Sequence, residues 1–338
     1  MHRLARHVCL AAALLAVLAA PASALDIHAE RGGGLTRGKP VSLENSLSAF
    51  KTARKRAADV VELDVHVSKD GVPFVMQDGT LDRTTDCTGN VADREASELD
   101  ACHIDLLGTT DVFRAAPGSR EPVPRLAAVL RWAKSSKTRL NVEINHYPNE
   151  DGYDPSDRFV TAELDTIDAS GIPKKQILLQ SFLPDNLTPA RRRGYRTALI
   201  TFAGAQGQAL ALAQQGGFDV LEPQWPVSGA ADFVSRAHAA GKRVIPFTID
   251  KRSDILGARA AGVDGAITDD PSLTSAVLRR CGAATRAFNS AKRRYDAAVA
   301  AARHAKGKAA KKRAQARVKA ELNRLTAARR ARDGACAP

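Results

Sequence analysis

From Leu25 to Pro271, short runs rich in β-branched residues alternate with alanine-rich amphipathic stretches. Few architectures accept that rhythm. Every strand must cover its apolar faces and every helix its apolar stripe, so sustained alternation means parallel strands joined by crossover helices. A stretch of about 250 residues favours the closed TIM-type (β/α)8 barrel within this α/β class. The expected strands are Asp26–Glu30, Val60–His66, Pro73–Gln77, Leu140–Asn145, Gln176–Ser181, Thr197–Thr201, Asp219–Glu222, Arg243–Ile249 and Gly265–Thr268. The expected helices include Leu43–Lys55, Arg125–Ser135, Ser156–Ala169, Leu183–Arg193, Gly207–Gln215, Gly229–Ala240 and Asp254–Ala260. One element breaks the rhythm. Val65 to Val75 reads as a hairpin about Lys69-Asp70-Gly71, so one strand should run antiparallel to its neighbour.

Two flanking segments are different in kind. Met1–His7 carries Arg3 and Arg6, Val8–Ala20 is unbroken apolar sequence, and Ala22-Ser23-Ala24 follows Pro21. This is the order of a secretory signal, with a run too short to span a bilayer as a helix. A retained anchor is the alternative. The signal predicts a secreted, extracytoplasmic protein with no transmembrane segment in the mature chain. At the other end, residues 283–338 hold 16 Lys and Arg against 3 Asp and Glu, which accounts for the whole formal charge of +13. The region between is slightly acidic, so the main domain is not a basic nucleic-acid binder. The expected organisation is a signal at 1–24, a barrel at 25–280 and a basic helical tail at 281–338.

Acidic residues interrupt two of the strands. In Val61-Glu62-Leu63-Asp64-Val65 the period of two puts Glu62 and Asp64 on one face. Glu143 breaks Leu140–Ile144 in the same way, with Asn145 on its face. Three carboxylates gathered at a barrel mouth repel one another, and a hard divalent cation relieves that. Solvated strand-end carboxylates fit the same pattern. After the first strand, Arg31 offers a planar fork for phosphate, and Gly32-Gly33-Gly34 permits close backbone approach; a plain glycine turn is the simpler reading.

Taken together, these motifs resemble the glycerophosphodiester phosphodiesterase family. Glu30-Arg31-Gly32-Gly33 is similar to its His-Arg-Gly-Gly, and Leu43-Glu44-Asn45-Ser46 to its Pro-Glu-Asn-Thr. Glu62-Leu63-Asp64-Val65 and the Lys69-Asp70-Gly71 turn match directly. Gln77-Asp78-Gly79-Thr80-Leu81-Asp82-Arg83-Thr84-Thr85 resembles its His-Asp-x-Thr-Leu-Asp-Arg-Thr-Thr. Asn141–Asn145, Gln180-Ser181-Phe182 and Gly262–Pro271 resemble later signatures. The resemblance implies a TIM-type barrel and a metal-dependent phosphodiesterase of glycerophosphodiesters or a related envelope phosphodiester. It implies Glu62, Asp64 and Glu143 as ligands of one cation, Ca²⁺ or Mg²⁺, Arg31 as the phosphate-binding arginine, and Glu44 near the metal and substrate.

Three positions depart from that pattern. Glu30 and Gln77 stand where the family has its general acid/base histidines, and Asn145 where it has a phosphate-neutralising lysine. Glutamine exchanges no proton at neutral pH. Losing an acid/base partner costs about 10²–10⁴-fold, so weak activity is expected. His146 is the best substitute histidine by position, followed by His66; His28 reads as a packed interior residue, and Asp250 as a polar group at the mouth. The alternatives are an inactive barrel that binds metal and phosphodiester, or a surface-interaction protein acting through its tail.

Beyond the signal four cysteines remain, and in an oxidising compartment they allow three pairings. Cys87 and Cys102 flank a polar loop 15 positions long and are expected to pair. Ala283–Ala305 and Lys308–Arg332 are nearly equal in length and separated by Gly307, which predicts an antiparallel αα-hairpin. That geometry brings Cys336 back to Cys281 for a second disulfide. Phe288, Ala291, Tyr295, Ala298 and Ala302 form one stripe, and Val318, Leu322 and Leu325 a shorter one. The alternative is a disordered basic tail. The cationic rod suits an anionic cell-envelope surface, with nucleic acid the weaker partner.

Overall fold

The computed structural model describes residues 25–107, 113–114, 119–148, 153–154 and 156–337; the expected signal segment, 1–24, lies outside them. The barrel strands are β1 (Asp26–Ala29), β2 (Val60–Val67), β4 (Arg139–Ile144), β5 (Ile177–Ser181), β6 (Arg196–Thr201), β7 (Val220–Pro223), β8 (Arg243–Val244) and β9 (Gly265–Thr268). All pair in parallel, in the order β8-β7-β6-β5-β4-β2-β1-β9. Backbone bonds from Asp264 to Val244, from Ile267 to Pro246 and from Ile249 to Ile267 bridge the remaining gap between β8 and β9. The sheet therefore curls into an eight-stranded barrel. The ninth strand, β3 (Pro73–Val75), pairs antiparallel with β2 through Val65–Val75 and Val67–Pro73, as the Lys69-Asp70-Gly71 turn predicts.

The strand over Arg243–Ile249 is shorter than expected. Pro246 has no N–H to continue the ladder, yet Ile245 and Phe247 still donate to Leu221 and Pro223, so the chain keeps its place.

Helices α1 (Leu47–Ala53), α2 (Leu126–Ser136), α3 (Arg158–Ser170), α4 (Pro184–Arg192), α5 (Gln206–Gly216), α6 (Ala230–Ala239) and α7 (Arg252–Ala261) surround the strands. Alternation along β2 sends Val61, Leu63 and Val65 outward into the core beneath α1 to α3. Leu178, Ala198, Val220, Ile245 and Ile267 fill the barrel interior. The opposite alternation leaves Glu62 and Asp64 inside, which positions the site.

Helix α8 (Pro271–Arg303) is both the last barrel helix and the first arm of the tail. It runs unbroken through position 281, where composition alone suggests a boundary. Asp270 caps it by accepting from Leu273 N at 2.9 Å. Helix α9 (Lys308–Cys336) returns along it. Both expected disulfides, Cys87–Cys102 and Cys281–Cys336, are present. Arg252 donates to the carbonyls of Gly334, Ala335 and Ala337 and so ties the free end of α9 to the barrel.

Between the arms, Ala291 and Ala298 are buried and Phe288, Tyr295 and Ala302 half-buried, as the stripe predicts. In α9 the register differs from expectation. Leu322 faces solvent, and the inward position belongs to Glu321. Arg294 across the interface and Arg324 on the same helix neutralise that carboxylate at 3.4 and 2.6 Å.

Candidate active site

Strand register brings the carboxylates together. Asp64 on β2 is the lateral neighbour of Glu143 on β4, which neighbours Gln180 on β5. Glu62 lies two residues before Asp64 on the same face. All three acids are buried, and one carboxylate oxygen from each lies within 4.8 Å of the others. Two unit charges about 4 Å apart repel by roughly 4 kcal/mol even at an effective dielectric near 20. Burial raises Glu62 well above the ordinary carboxylate range, with Asp64, Glu30 and Glu143 adding to the shift. Burial and then Asp64 push Glu143 up to about 8, opposed by hydrogen bonds from Tyr147 and Gln180 and by Arg31. The cluster must therefore take up protons or a cation. Its donors are all oxygen, which fits a hard divalent ion and not zinc.

Neutral donors hold the cluster in shape. Gln180 Nε2 donates to Glu62 Oε1 and Glu143 Oε2, both at 3.0 Å. Asn45 Nδ2 donates to Asp64 Oδ2 at 2.8 Å. The Tyr147 hydroxyl donates to Glu143 Oε1 at 2.9 Å, and the Arg31 backbone N–H to Glu62 Oε2 at 2.7 Å. Below them, Asn141 links Gln180 to Glu222 Oε1, continuing the polar chain into the barrel interior.

Two guanidiniums border the acids. Arg31 has a left-handed backbone, φ +49°, in the turn leaving β1. That turn aims its side chain back over the mouth, 3.5 Å from Asp64, 3.7 Å from Glu44 and 3.8 Å from Glu30. Arg83 grips Glu44 at 2.9 and 3.1 Å and Asp78 at 2.6 and 2.7 Å. Glu44 is thus shared by two arginines. Glu30 is raised well above the usual carboxylate range, by burial first and then by Asp269, Asp64 and Glu143, with Arg31 opposing.

The Gln77 carbonyl accepts from Asn145 Nδ2 at 3.5 Å and meets His66 Nε2 at 3.0 Å, where the ring nitrogen must carry the proton. Asn145 Nδ2 also lies 3.4 Å from Asp64 Oδ1, so it joins the β3 end to the cluster. His66 is a buried tie, held below its usual pKa by burial. His146 packs against Tyr153 and Phe159, with ring centroids 4.7 and 5.4 Å away, rather than against the carboxylates. His28 lies in the barrel interior, where burial pushes it down to about 3. Asp250 accepts from Thr268 Oγ1 and Asp269 N at the mouth. One wall of the mouth is aromatic: Phe182 stacks on Phe202 at 4.5 Å and meets Tyr147 and Phe247 edge-on at 5.9 and 6.2 Å.

The barrel has known counterparts. Residues 31–273 match the Glycerophosphoryl diester phosphodiesterase family model. The chain belongs to that family. A glycerophosphodiester phosphodiesterase of Caldanaerobacter subterraneus is 27% identical over 249 residues, covering 71% of this chain and 93% of the relative. One from Bacillus subtilis is 26% identical over 249 residues, covering 68% and 80%. The fold is shared with an Oleispira antarctica phosphodiesterase solved with the product sn-glycerol-3-phosphate (TM-score 0.62, 22% identity, 75% of this chain and 96% of that one). It is shared also with a glycerophosphodiester phosphodiesterase of Thermotoga maritima (TM-score 0.58, 20% identity, 75% and 98%). These family members are phosphoric diester hydrolases. The family match stops at residue 273, so nearly all of the hairpin lies beyond it.

The fold thus assembles Glu30, Arg31, Glu44, Glu62, Asp64, Glu143 and Asn145 around one mouth, with Gln77 joined to it through its backbone carbonyl. Reasoning from sequence assigned no part to Asn45, Arg83, Tyr147 or Gln180. Three of these lie inside family-like motifs, which was their available signal. Tyr147 lies outside them and is recruited only by folding.

Proposed function

We propose that this protein is an exported phosphodiesterase that hydrolyses glycerophosphodiesters, or a related envelope phosphodiester, with one Ca²⁺ or Mg²⁺ held by Glu62, Asp64 and Glu143. The observation that carries this reading is the buried three-carboxylate cluster within 4.8 Å, bordered by Arg31, in a chain of this family. A cation held by Glu62, Asp64 and Glu143 would supply Lewis-acid stabilisation of the negative charge that develops on the phosphoryl group. Arg31 orients the phosphate through its planar fork. Glu44, held by Arg83, fixes Arg31 in place.

Proton transfer is the weak step. Water must lose a proton as the P–O bond breaks, and the departing alkoxide must gain one. Glu30, raised by its surroundings, has the chemistry to take or give a proton. Gln77 has none, and Asn145 brings no positive charge. Slow turnover follows. The second reading, a barrel that binds metal and phosphodiester without turnover, is favoured by Gln77 alone. The cationic tail is assigned to an anionic envelope surface on the strength of its charge.

The deciding assay is hydrolysis of glycerophosphocholine and of a bis-aryl phosphodiester with Ca²⁺, Mg²⁺ or chelator. Cation-dependent turnover well below the general enzyme median of about 10 s⁻¹ is expected, and Glu30→His with Gln77→His should raise it. Metal affinity by calorimetry that is equal in wild type and Asp64→Ala would remove the ligand assignment. Binding without hydrolysis, before and after the histidine changes, would establish the second reading.

A further inference from the structure

The hairpin carries its charge unevenly. Between Asp296 and Glu321 there are eight Lys and Arg and no acidic residue. Five of them, Lys306, Lys308, Lys311, Lys312 and Arg313, flank the turn at Gly307, and all five are exposed. The acidic residues lie nearer the base and are engaged: Asp296 by Lys292 at 2.7 Å, Glu321 by Arg294 and Arg324, and Asp333 by Arg332 at 2.5 Å. The tip is therefore a cationic cap without internal counter-charge.

The direction of the cap follows from topology. Helix α8 starts at Pro271, just past the carboxyl end of β9, on the same face as the acidic cluster, and runs antiparallel to the strands. By Leu278–Arg286 it borders a groove with Leu25, Ile27 and Asp59, at the opposite, amino-terminal end of the barrel. The remaining 17 residues, 287 to 303, carry the turn about 25 Å beyond that end at 1.5 Å per residue. Mouth and tip thus point in opposite directions.

We propose that the hairpin tip docks on an anionic phospholipid bilayer and holds the barrel with its mouth turned away from that surface. This rests on the assignment of the tail to an anionic envelope surface given above. The cap is the closed end of a two-helix hairpin, a shape that meets an extended surface end-on. The large exposed apolar residues of the described chain are Val41, Tyr153, Phe202 and Leu322, and none lies in the 297–320 tip. Attachment is consequently electrostatic and peripheral, without insertion, and is screened by salt. A site facing away from the bilayer receives dissolved phosphodiesters, not lipids embedded in the bilayer it rests on.

The test is sedimentation of the full mature chain with phosphatidylglycerol/phosphatidylcholine vesicles at low and high salt. Binding is expected at low salt, release at high salt and none to pure phosphatidylcholine. Replacing Lys306, Lys308, Lys311, Lys312 and Arg313 by Gln should weaken binding about a hundredfold or more. Arg286→Gln with Arg293→Gln, near the base, should change it far less, and circular dichroism confirms that both variants keep their helices. A fluorophore on Ala309→Cys should be quenched by a vesicle-borne quencher, and one on Phe202→Cys at the mouth should not. Equal binding of the tip variant, equal binding to neutral vesicles, tighter binding to duplex DNA than to vesicles, or quenching of the mouth label overturns the proposal. Hydrolysis of a soluble glycerophosphodiester reports separately: docking without any hydrolysis removes the phosphodiesterase reading alone, and hydrolysis without docking removes this one alone.

Discussion

Arg31 Nε stands 3.5 Å from Asp64 Oδ2 and has no hydrogen-bond partner among the described residues. A buried guanidinium N–H without an acceptor is costly, and this one lies beside a carboxylate that it does not satisfy. The arrangement leaves the fork available to an incoming anion while Asp64 remains open to a cation.

Removing that fork should therefore affect substrate more than metal. Arg31→Ala should lower kcat/KM by about 10- to 100-fold, the worth of a hydrogen bond to a charged group, with little loss of metal affinity. Arg31→Lys should recover only part, because a point charge lacks the fork. Steady-state kinetics together with calorimetry checks this. A large loss of metal affinity in either variant would mean that the arginine supports the cluster instead.

Gln180 should act on the metal before it acts on substrate. Its single Nε2 braces Glu62 and Glu143 at 3.0 Å each. Gln180→Leu removes both bonds, and loss of such outer partners costs about 10- to 100-fold in metal affinity or activity. High cation concentration should restore much of the rate. A rate defect that no cation concentration repairs would contradict the bracing role.

Stability should depend on pH through the same cluster. With no cation bound, Glu143 is pushed up to about 8, against about 4.3 for a free glutamate. Between those values the folded state holds more protons than the unfolded state, so stability is greatest at the acidic end and declines as pH rises towards 8. In chelator, calorimetric melting should fall from pH 5 to pH 8, with a shallower fall in Glu143→Gln. Added cation should raise the melting temperature more at pH 8 than at pH 5. A melting temperature that rises with pH in chelator, equally in both proteins, would contradict the assignment.

The Cys281–Cys336 bond closes a span of 55 positions. Chain entropy values such a closure at about 4 kcal/mol, before any native-state strain is deducted. Cys281→Ser with Cys336→Ser should loosen α9 first, because the arms meet through alanines that bury little area. Hydrogen exchange should show protection lost over 308–336 while the barrel strands keep theirs. Unchanged protection in α9 would mean that Arg252 and the Glu321 ion pairs suffice to hold it.

Much of this protein is determined locally. The period of two fixes Glu62 and Asp64 on one strand face whatever surrounds them, and Lys69-Asp70-Gly71 fixes the antiparallel β3. Equal arms about Gly307 fix the hairpin and bring its two cysteines together. Such features depend on backbone geometry over a few residues, or on helix length, and a chain carries that information directly. The choice of Glu321 over Leu322 as the inward residue is different. Helical period permits either, and the deciding factor is a partner on the other arm, Arg294.

The site obeys the same division. Three carboxylates on two strands are visible as a pattern, but their meeting within 4.8 Å requires the register that sets Asp64 beside Glu143. Gln180 and Asn45 act because folding brings residues 19 to 118 positions apart to the same oxygens, and Tyr147 acts by reaching back four positions to Glu143. Arg83 turns from a motif residue into the clamp on Glu44 for the same reason. His146 shows the reverse: adjacency to Asn145 in sequence suggests the site, and successive residues leaving a strand point to opposite sides, so it packs on Tyr153 and Phe159. Residue type and local period choose the chemistry, and long-range register decides which groups share it.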